Sequence, residues 1–244
     1  MSNKNIDSVK VISLKKHEDR RSLFVENNPN LTYSFIDAID GSVLSVDLLS
    51  NQNLFSKDVV YTLGAKGCAL SHLACWNLSI KENSVVTVTE DDAIFREDFH
   101  VASQKLFSLL PDQWDIVLWG WNFDSILSLN EMPSVSPSIV HFDQNNLRKN
   151  IFDFKKMIGA NFPLRLDKCF GTIAYSISPK GAELFRKECF PLSHFLMQFP
   201  SVKKIVRNDG IDIAMNRVYS GAQSYVCFPP LVVTKNVKEE STIR

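Results

Sequence analysis

Apolar runs alternate with amphipathic stretches along most of the chain, and this alternation predicts an α/β fold. Val9 to Leu14 reads as a short apolar strand. Residues 17–27 read as a polar helix opening with Glu18 and Asp19, acids that suit the positive end of a helix dipole. Leu31 to Ile36 alternates as a second strand, followed by the turn signal Asp40-Gly41. Residues 42–63 read as loop with short helical possibilities. From Gly67 to Lys81, Ala69, Leu73, Trp76 and Ile80 recur at helical spacing and predict one apolar face. The run Val85-Val86-Thr87-Val88-Thr89 predicts a buried strand. Residues 98–109 read as a helix that stops at Pro111, and Asp115 to Trp119 as another buried strand.

Residues 120–168 break the pattern. They contain Pro133, Pro137 and Pro163 with little periodicity, and read as an irregular lid or acceptor-binding insertion. Regular signals then resume. Phe170 to Ile177 predicts a strand, and Pro179 starts a helix to about residue 188. Asn208-Asp209-Gly210 precedes a helix over 210–220, and Tyr225 to Val233 is a last strand broken at Pro229-Pro230. Together these predict a mostly parallel central sheet flanked by helices, in a single domain over residues 1–244. Ligands of such sheets bind at the carboxyl ends of strands.

Composition narrows the class. The chain has 244 residues, 45% of them hydrophobic and 17 of them Phe, enough for a sizeable core. Lys+Arg and Asp+Glu both number 27, so nucleic-acid binding through bulk charge is not expected. Five irregularly spaced cysteines do not form a disulfide framework and fit a reducing cytoplasm. Met1-Ser2-Asn3-Lys4-Asn5 leads into a strand without a signal-peptide core, and no apolar run reaches the roughly 18 residues of a membrane span. These features are compatible with peripheral contact with a membrane. Phe195-Leu196-Met197 with Phe199-Pro200 reads as core or as a surface patch, and Lys203, Lys204 and Arg207 nearby favour an anionic surface if exposed.

The candidate chemistry centres on Glu90-Asp91-Asp92, directly after the buried strand. Like charges that close repel, and burying them unpaired costs several kcal/mol. A divalent cation removes the conflict, and hard oxygen ligands at a strand end suit Mg²⁺ or Mn²⁺ carrying a phosphate. The plain alternative is a solvated acidic turn. Asp209 and Asp212 flank Gly210 at a helix start, where each reads either as a helix cap or as a general base. Cys68, His72 and Cys75 share one helical face, either as a partial zinc site or as buried cysteines beside a hydrogen-bonded histidine.

Several segments, taken in order, resemble glycosyltransferase family 25. They are Val11-Ile12-Ser13-Leu14 with Asp19-Arg20-Arg21, Phe35 through Gly41, Gly64, and Gly67-Cys68-Ala69-Leu70-Ser71-His72. Glu90-Asp91-Asp92, Gly171 through Tyr175, Ser178 through Ala182, Asp212, Pro229-Pro230-Leu231-Val232 and Ser241-Thr242-Ile243 follow. Members include bacterial lipooligosaccharide glycosyltransferases of the β-1,4-galactosyltransferase kind, and the family is similar to collagen galactosyltransferases. The resemblance implies a GT-A-like fold, a UDP-sugar donor, a divalent cation such as Mn²⁺ or Mg²⁺, and inversion at the anomeric carbon. The chain departs from the pattern at Ala65, where the family has an acid, and carries no C-terminal histidine to serve as a metal ligand.

The resemblance and the chemistry together assign roles. Asp92 is the first choice for metal ligand, with Glu90 or Asp91 on metal or donor ribose. Arg20 and Arg21 would pair with phosphate or stack on the base, against a plain reading as solvated helix residues. Gly171 and Thr172 would let the backbone approach the donor sugar. The resemblance favours Asp212 as the base that takes the acceptor proton. The expected reaction moves a hexose, galactose first, from a UDP-hexose to a lipooligosaccharide acceptor. The expected location is cytoplasmic, with peripheral contact at the inner membrane. The alternatives are a metal-dependent phosphoester or diphosphate hydrolase, and a nucleotide-sugar-binding protein without catalysis.

Overall fold

The structure, a computed structural model, describes residues 6, 8–199 and 204–237. Pro200, Lys203, the side chain of Lys204 and the segment Ser241-Thr242-Ile243 lie outside the described residues. In chain order, β1 (Val9–Ser13), α1 (Glu18–Asn27), β2 (Tyr33–Asp37) and a 3₁₀ turn (Gly41–Val43) lead to α2 (Val46–Leu49) and α3 (Leu63–Glu82). Then come β3 (Val86–Glu90), β4 (Ala93–Phe95), α4 (Phe99–Leu109), β5 (Ile116–Gly120), β6 (Ile126–Met132) and β7 (Ser136–His141). They are followed by α5 (Gln144–Lys149), α6 (Ile151–Lys156), β8 (Phe162–Cys169), β9 (Ala174–Ile177) and α7 (Pro179–Cys189). The last are β10 (Leu196–Phe199), β11 (Lys204–Arg207), α8 (Ile211–Met215), β12 (Ser224–Phe228) and β13 (Val232–Thr234).

Nine strands form one sheet in the order β2-β1-β3-β9-β5-β12-β8-β6-β7. β1 pairs in parallel with β2 and β3, and β5 with β12. β9 runs against both β3 and β5, and β8, β6 and β7 continue the sheet antiparallel. This α/β sheet flanked by helices agrees with the expected class and is compatible with a GT-A-like fold, but it is mixed rather than mostly parallel, because β9, β8, β6 and β7 join it antiparallel. Successive side chains of a strand point to opposite faces. In β5, Ile116 and Leu118 therefore join one core, with α3 and α7, while Val117 and Trp119 join another, with α1 and α4. All five β5 residues are buried, as expected of a strand covered on both faces.

The helix predicted from Gly67 starts four residues earlier. Thr62 caps it, its hydroxyl oxygen accepting from Ala65 N–H at 3.0 Å, and Asn83 closes it in the left-handed region. Gly64 and Gly67 weaken the local helix signal, but tertiary contact requires Gly67. A Cβ there would stand 2.4 Å from the Ile39 carbonyl oxygen. Close approach of the helix to the Gly41 turn sets the far ends of β1 and β2 beside α3.

Three other expectations change, and the break in the last strand is found where expected. The strand predicted from Phe170 begins at Ala174, because Gly171 turns the chain at φ +88°. The helix predicted over 210–220 ends at Met215. The final strand is broken at Pro229-Pro230 as expected, and the two pieces part company: β12 lies in the main sheet and β13 pairs with β4. The stretch 120–168 is regular: β6, β7 and β8 extend the main sheet, and α5 and α6 lie between them. Pro137 sits on β7, the edge strand, where a missing N–H leaves no ladder bond broken. The apolar run near 195–199 is split, with Leu196 exposed and Phe199 buried.

Candidate functional site

Register brings the acidic segment together with distant parts of the chain. Ile12 of β1 faces Glu90 of β3, so Ser13 stands beside Asp91. Its hydroxyl donates to Asp91 Oδ2 at 2.7 Å. Arg20, on α1, donates from Nε to Asp91 Oδ1 at 2.9 Å and again from Nη2. Asp91 is thus buried with both oxygens engaged. This is a charge-assisted anchor between β3 and α1, and its carboxylate is committed to protein partners.

Glu90, the last residue of β3, accepts from Thr172 Oγ1 at 2.5 Å, and its backbone N–H donates to the Ile173 carbonyl at 3.0 Å. The His72 Nε2 lies 3.8 Å from its Oε1. Burial works to raise Glu90, but His72, Thr172 and Arg20 together hold it below the usual carboxylate value. Asp92 points the other way along the turn and accepts from Thr234 Oγ1, at the end of β13, at 2.9 Å. Its surface is exposed but faces into a walled cavity. Loss of solvation there, then the charge of Glu90, push it up to about 6.

Asp212 enters from α8. Gly210 occupies the N-cap position without a side-chain bond, and Asp212 lies in the first turn. Its Oδ2 accepts from Gly171 N–H at 3.1 Å and its Oδ1 from Ile213 N–H at 2.9 Å. Burial raises its pKa against those two donors, with Glu90 and Asp209 adding repulsion. Asp209 neither caps the helix nor reaches the cavity; it pairs with Arg207 at 3.6 Å.

Arg20, Glu90, Asp91, Asp92, Gly171, Thr172 and Asp212 all line one cavity of about 240 Å³. Arg21 does not. It donates to the Ser13 carbonyl at 2.9 Å and Asp37 Oδ1 at 2.6 Å, and lies over the Phe35 ring, tying β1 to β2. Ala65, where the family pattern has an acid, lines the cavity with a methyl group. Gly171 needs its missing side chain twice over, for its positive φ and because a Cβ would meet the Asn122 side chain at 2.7 Å.

Asn122, Thr234 and Lys235 were not foreseen and also line the cavity. Asn122 follows β5, and Thr234 and Lys235 lie at the end of β13. The rule that ligands gather at strand carboxyl ends points to all three, but only once strand order is known.

Among the described residues, hydrogen bonds engage Glu90 Oε1 and Asp92 Oδ2, which leaves Glu90 Oε2 and Asp92 Oδ1 for a ligand. Mg²⁺ and Mn²⁺ sites commonly use one or two carboxylates, completing their shell with water and phosphate. Loss of solvation, then the charge of Glu90, raise Asp92, and a cation would offset both, so the residues fit such an ion. Among the described residues, no cluster of three or more His, Cys, Asp and Glu is arranged to hold a metal by protein ligands alone. The zinc reading of Cys68, His72 and Cys75 therefore falls. Cys75 is buried, and His72 bonds to Tyr175.

A family model described as glycosyltransferase family 25 (LPS biosynthesis protein) matches residues 7–196. The chain belongs to glycosyltransferase family 25. The family carries with it a sugar donor and an acceptor of the lipopolysaccharide type. The matched span includes every cavity carboxylate except Asp212. No curated protein matches the chain. Among the described residues, no helix is long and apolar enough to cross a membrane.

Proposed function

We propose that this family 25 member is an inverting, divalent-cation-dependent transferase that moves a hexose, galactose first, from a UDP-sugar to a lipooligosaccharide sugar. The observation that carries the reading is the meeting of Glu90 and Asp92 with Asp212 around one cavity. Two carboxylates keep free oxygens for a cation, and a third is fixed by two backbone N–H groups. Bound between Glu90, Asp92 and the donor diphosphate, Mn²⁺ or Mg²⁺ would neutralise the charge that builds as UDP leaves.

The chain's own residues account for the rest. Arg20 and Lys235 add positive charge at the cavity wall. Asp212 takes the acceptor hydroxyl proton as the acceptor oxygen bonds to C1. The C1–O bond to the diphosphate breaks on the opposite face, and its electron pair leaves with UDP. Each Asp212 oxygen accepts one backbone bond and keeps a lone pair for this proton, and its raised pKa brings it nearer the working pH of a base. An exposed part of the 120–168 segment would close over bound donor, and the protein would work at the cytoplasmic face of the inner membrane.

The test is release of UDP from several UDP-sugars with Mn²⁺, with and without a lipooligosaccharide acceptor. Acceptor-stimulated release that is greatest with UDP-galactose supports the reading. Donor-independent phosphate release, or binding without turnover, overturns it.

A further inference from the structure

Tyr175 Oη has two hydrogen-bond partners among the described residues, Trp76 Nε1 at 2.9 Å and His72 Nδ1 at 2.9 Å. An indole N–H only donates, so Tyr175 accepts from Trp76. The phenol proton then needs an acceptor, and His72 Nδ1 is the one left. His72, Trp76 and Tyr175 are fully buried, so a stranded proton would cost the full desolvation of that group. A neutral imidazole that accepts at Nδ1 carries its proton on Nε2. Among the described residues, His72 Nε2 has no hydrogen-bond partner; it is completely buried, with Glu90 Oε1 at 3.8 Å in front of it. Thr172 already bonds to that same oxygen. A small shift of Glu90 closes the gap.

We propose that His72 is a positioning residue: locked as the Nε2–H tautomer by Tyr175 and Trp76, it clamps Glu90 Oε1 together with Thr172 and so turns Oε2 toward the ligand. The donors on Oε1 stabilise the carboxylate form and fix its direction, as outer partners do for metal-binding carboxylates. The inference rests on reading Glu90 as a ligand-binding carboxylate, and goes beyond it by naming what holds Glu90 in place. It also explains why a histidine is buried against the sheet with one nitrogen unpaired.

Two measurements test it. Nitrogen-15 spectra of histidine-labelled wild-type protein should show His72 as the single Nε2–H tautomer, and Tyr175→Phe should release that lock. Calorimetric titration with UDP and Mn²⁺ should show His72→Asn weakening binding about 10–100-fold. His72→Gln, which restores a donor near the Nε2 position, should recover most of that loss at a similar melting temperature. An Nδ1–H tautomer or an imidazolium in the wild type overturns the proposal, even if the variants fail to fold. So does equal binding by His72→Asn and His72→Gln. A wild-type protein that binds no UDP with either cation would instead sink the transferase reading, a result separable from the tautomer.

Discussion

At the scale of single residues, three neighbouring carboxylates have three different situations. Asp91 is consumed by Ser13 and Arg20, Glu90 is held ionised, and Asp92 is raised to about 6. The sign of the Asp92 effect follows from its direction. A carboxyl whose folded value of about 6 exceeds its ordinary 3.8 favours the fold when protonated. That contribution is present below 3.8 and is lost as pH rises toward 6. A cation binds the ionised form, so the rise in melting temperature with Mn²⁺ should be larger at about pH 7.5 than at about pH 5. Asp92→Asn should abolish that difference and turnover together while the fold persists. Equal Mn²⁺ stabilisation at both pH values would count against Asp92 as a ligand. For Asp212, replacement by Asn keeps the shape and removes the basicity. Turnover should fall roughly 10²–10⁴-fold with UDP-sugar affinity little changed. Weakened Mn²⁺ and UDP binding would point to a ligand role, and near-normal turnover would remove Asp212 as the base.

At the scale of elements, the turn from β8 into β9 joins the two sides of the site. Gly171 donates to Asp212, and Thr172 donates to Glu90. Gly171→Ala would force an L side chain to φ +88° and against Asn122. The backbone penalty is about 1–2 kcal/mol, which corresponds to a melting-temperature loss of about 2–8 °C. Donor affinity should fall with it, because both carboxylates lose their alignment. A variant with unchanged melting temperature and UDP affinity would show that the turn is not needed. Strands such as β3 and β5 were legible because fully apolar or β-branched runs leave few other choices. The boundary at Gly171 was not, because a strand pattern continues through it and only the contact with Asn122 demands the turn.

At the scale of the whole molecule, the 120–168 segment shows how far tertiary structure reassigns a stretch. Its prolines and weak periodicity suggested an insertion, yet β6 to β8 extend the main sheet. Antiparallel strands that are only partly buried need less apolar sequence than fully buried parallel ones, which hides them from pattern reading. Its exposed parts, including Val135 in the β6–β7 turn and Ile158 after α6, offer sites for a protease. UDP with Mn²⁺ should protect part of the segment from cleavage, and identical cleavage patterns with and without them would argue against a lid.

The sequence by itself determined the α/β class, the long helix under the sheet, the acidic turn after β3 and the set of segments that mark the family. These are local patterns, governed by side-chain period, capping and turn chemistry within a few residues. Only the tertiary structure decided which of those residues do chemistry. Arg20 and Asp91 are 71 positions apart, and Gly171 and Asp212 are 41. Whether an acid is anchored, ionised or raised in pKa depends on the partners that strand register and helix packing bring to it. The same acidic triplet therefore yields one structural anchor and two oxygens free for a ligand, a division made by contacts across the sheet.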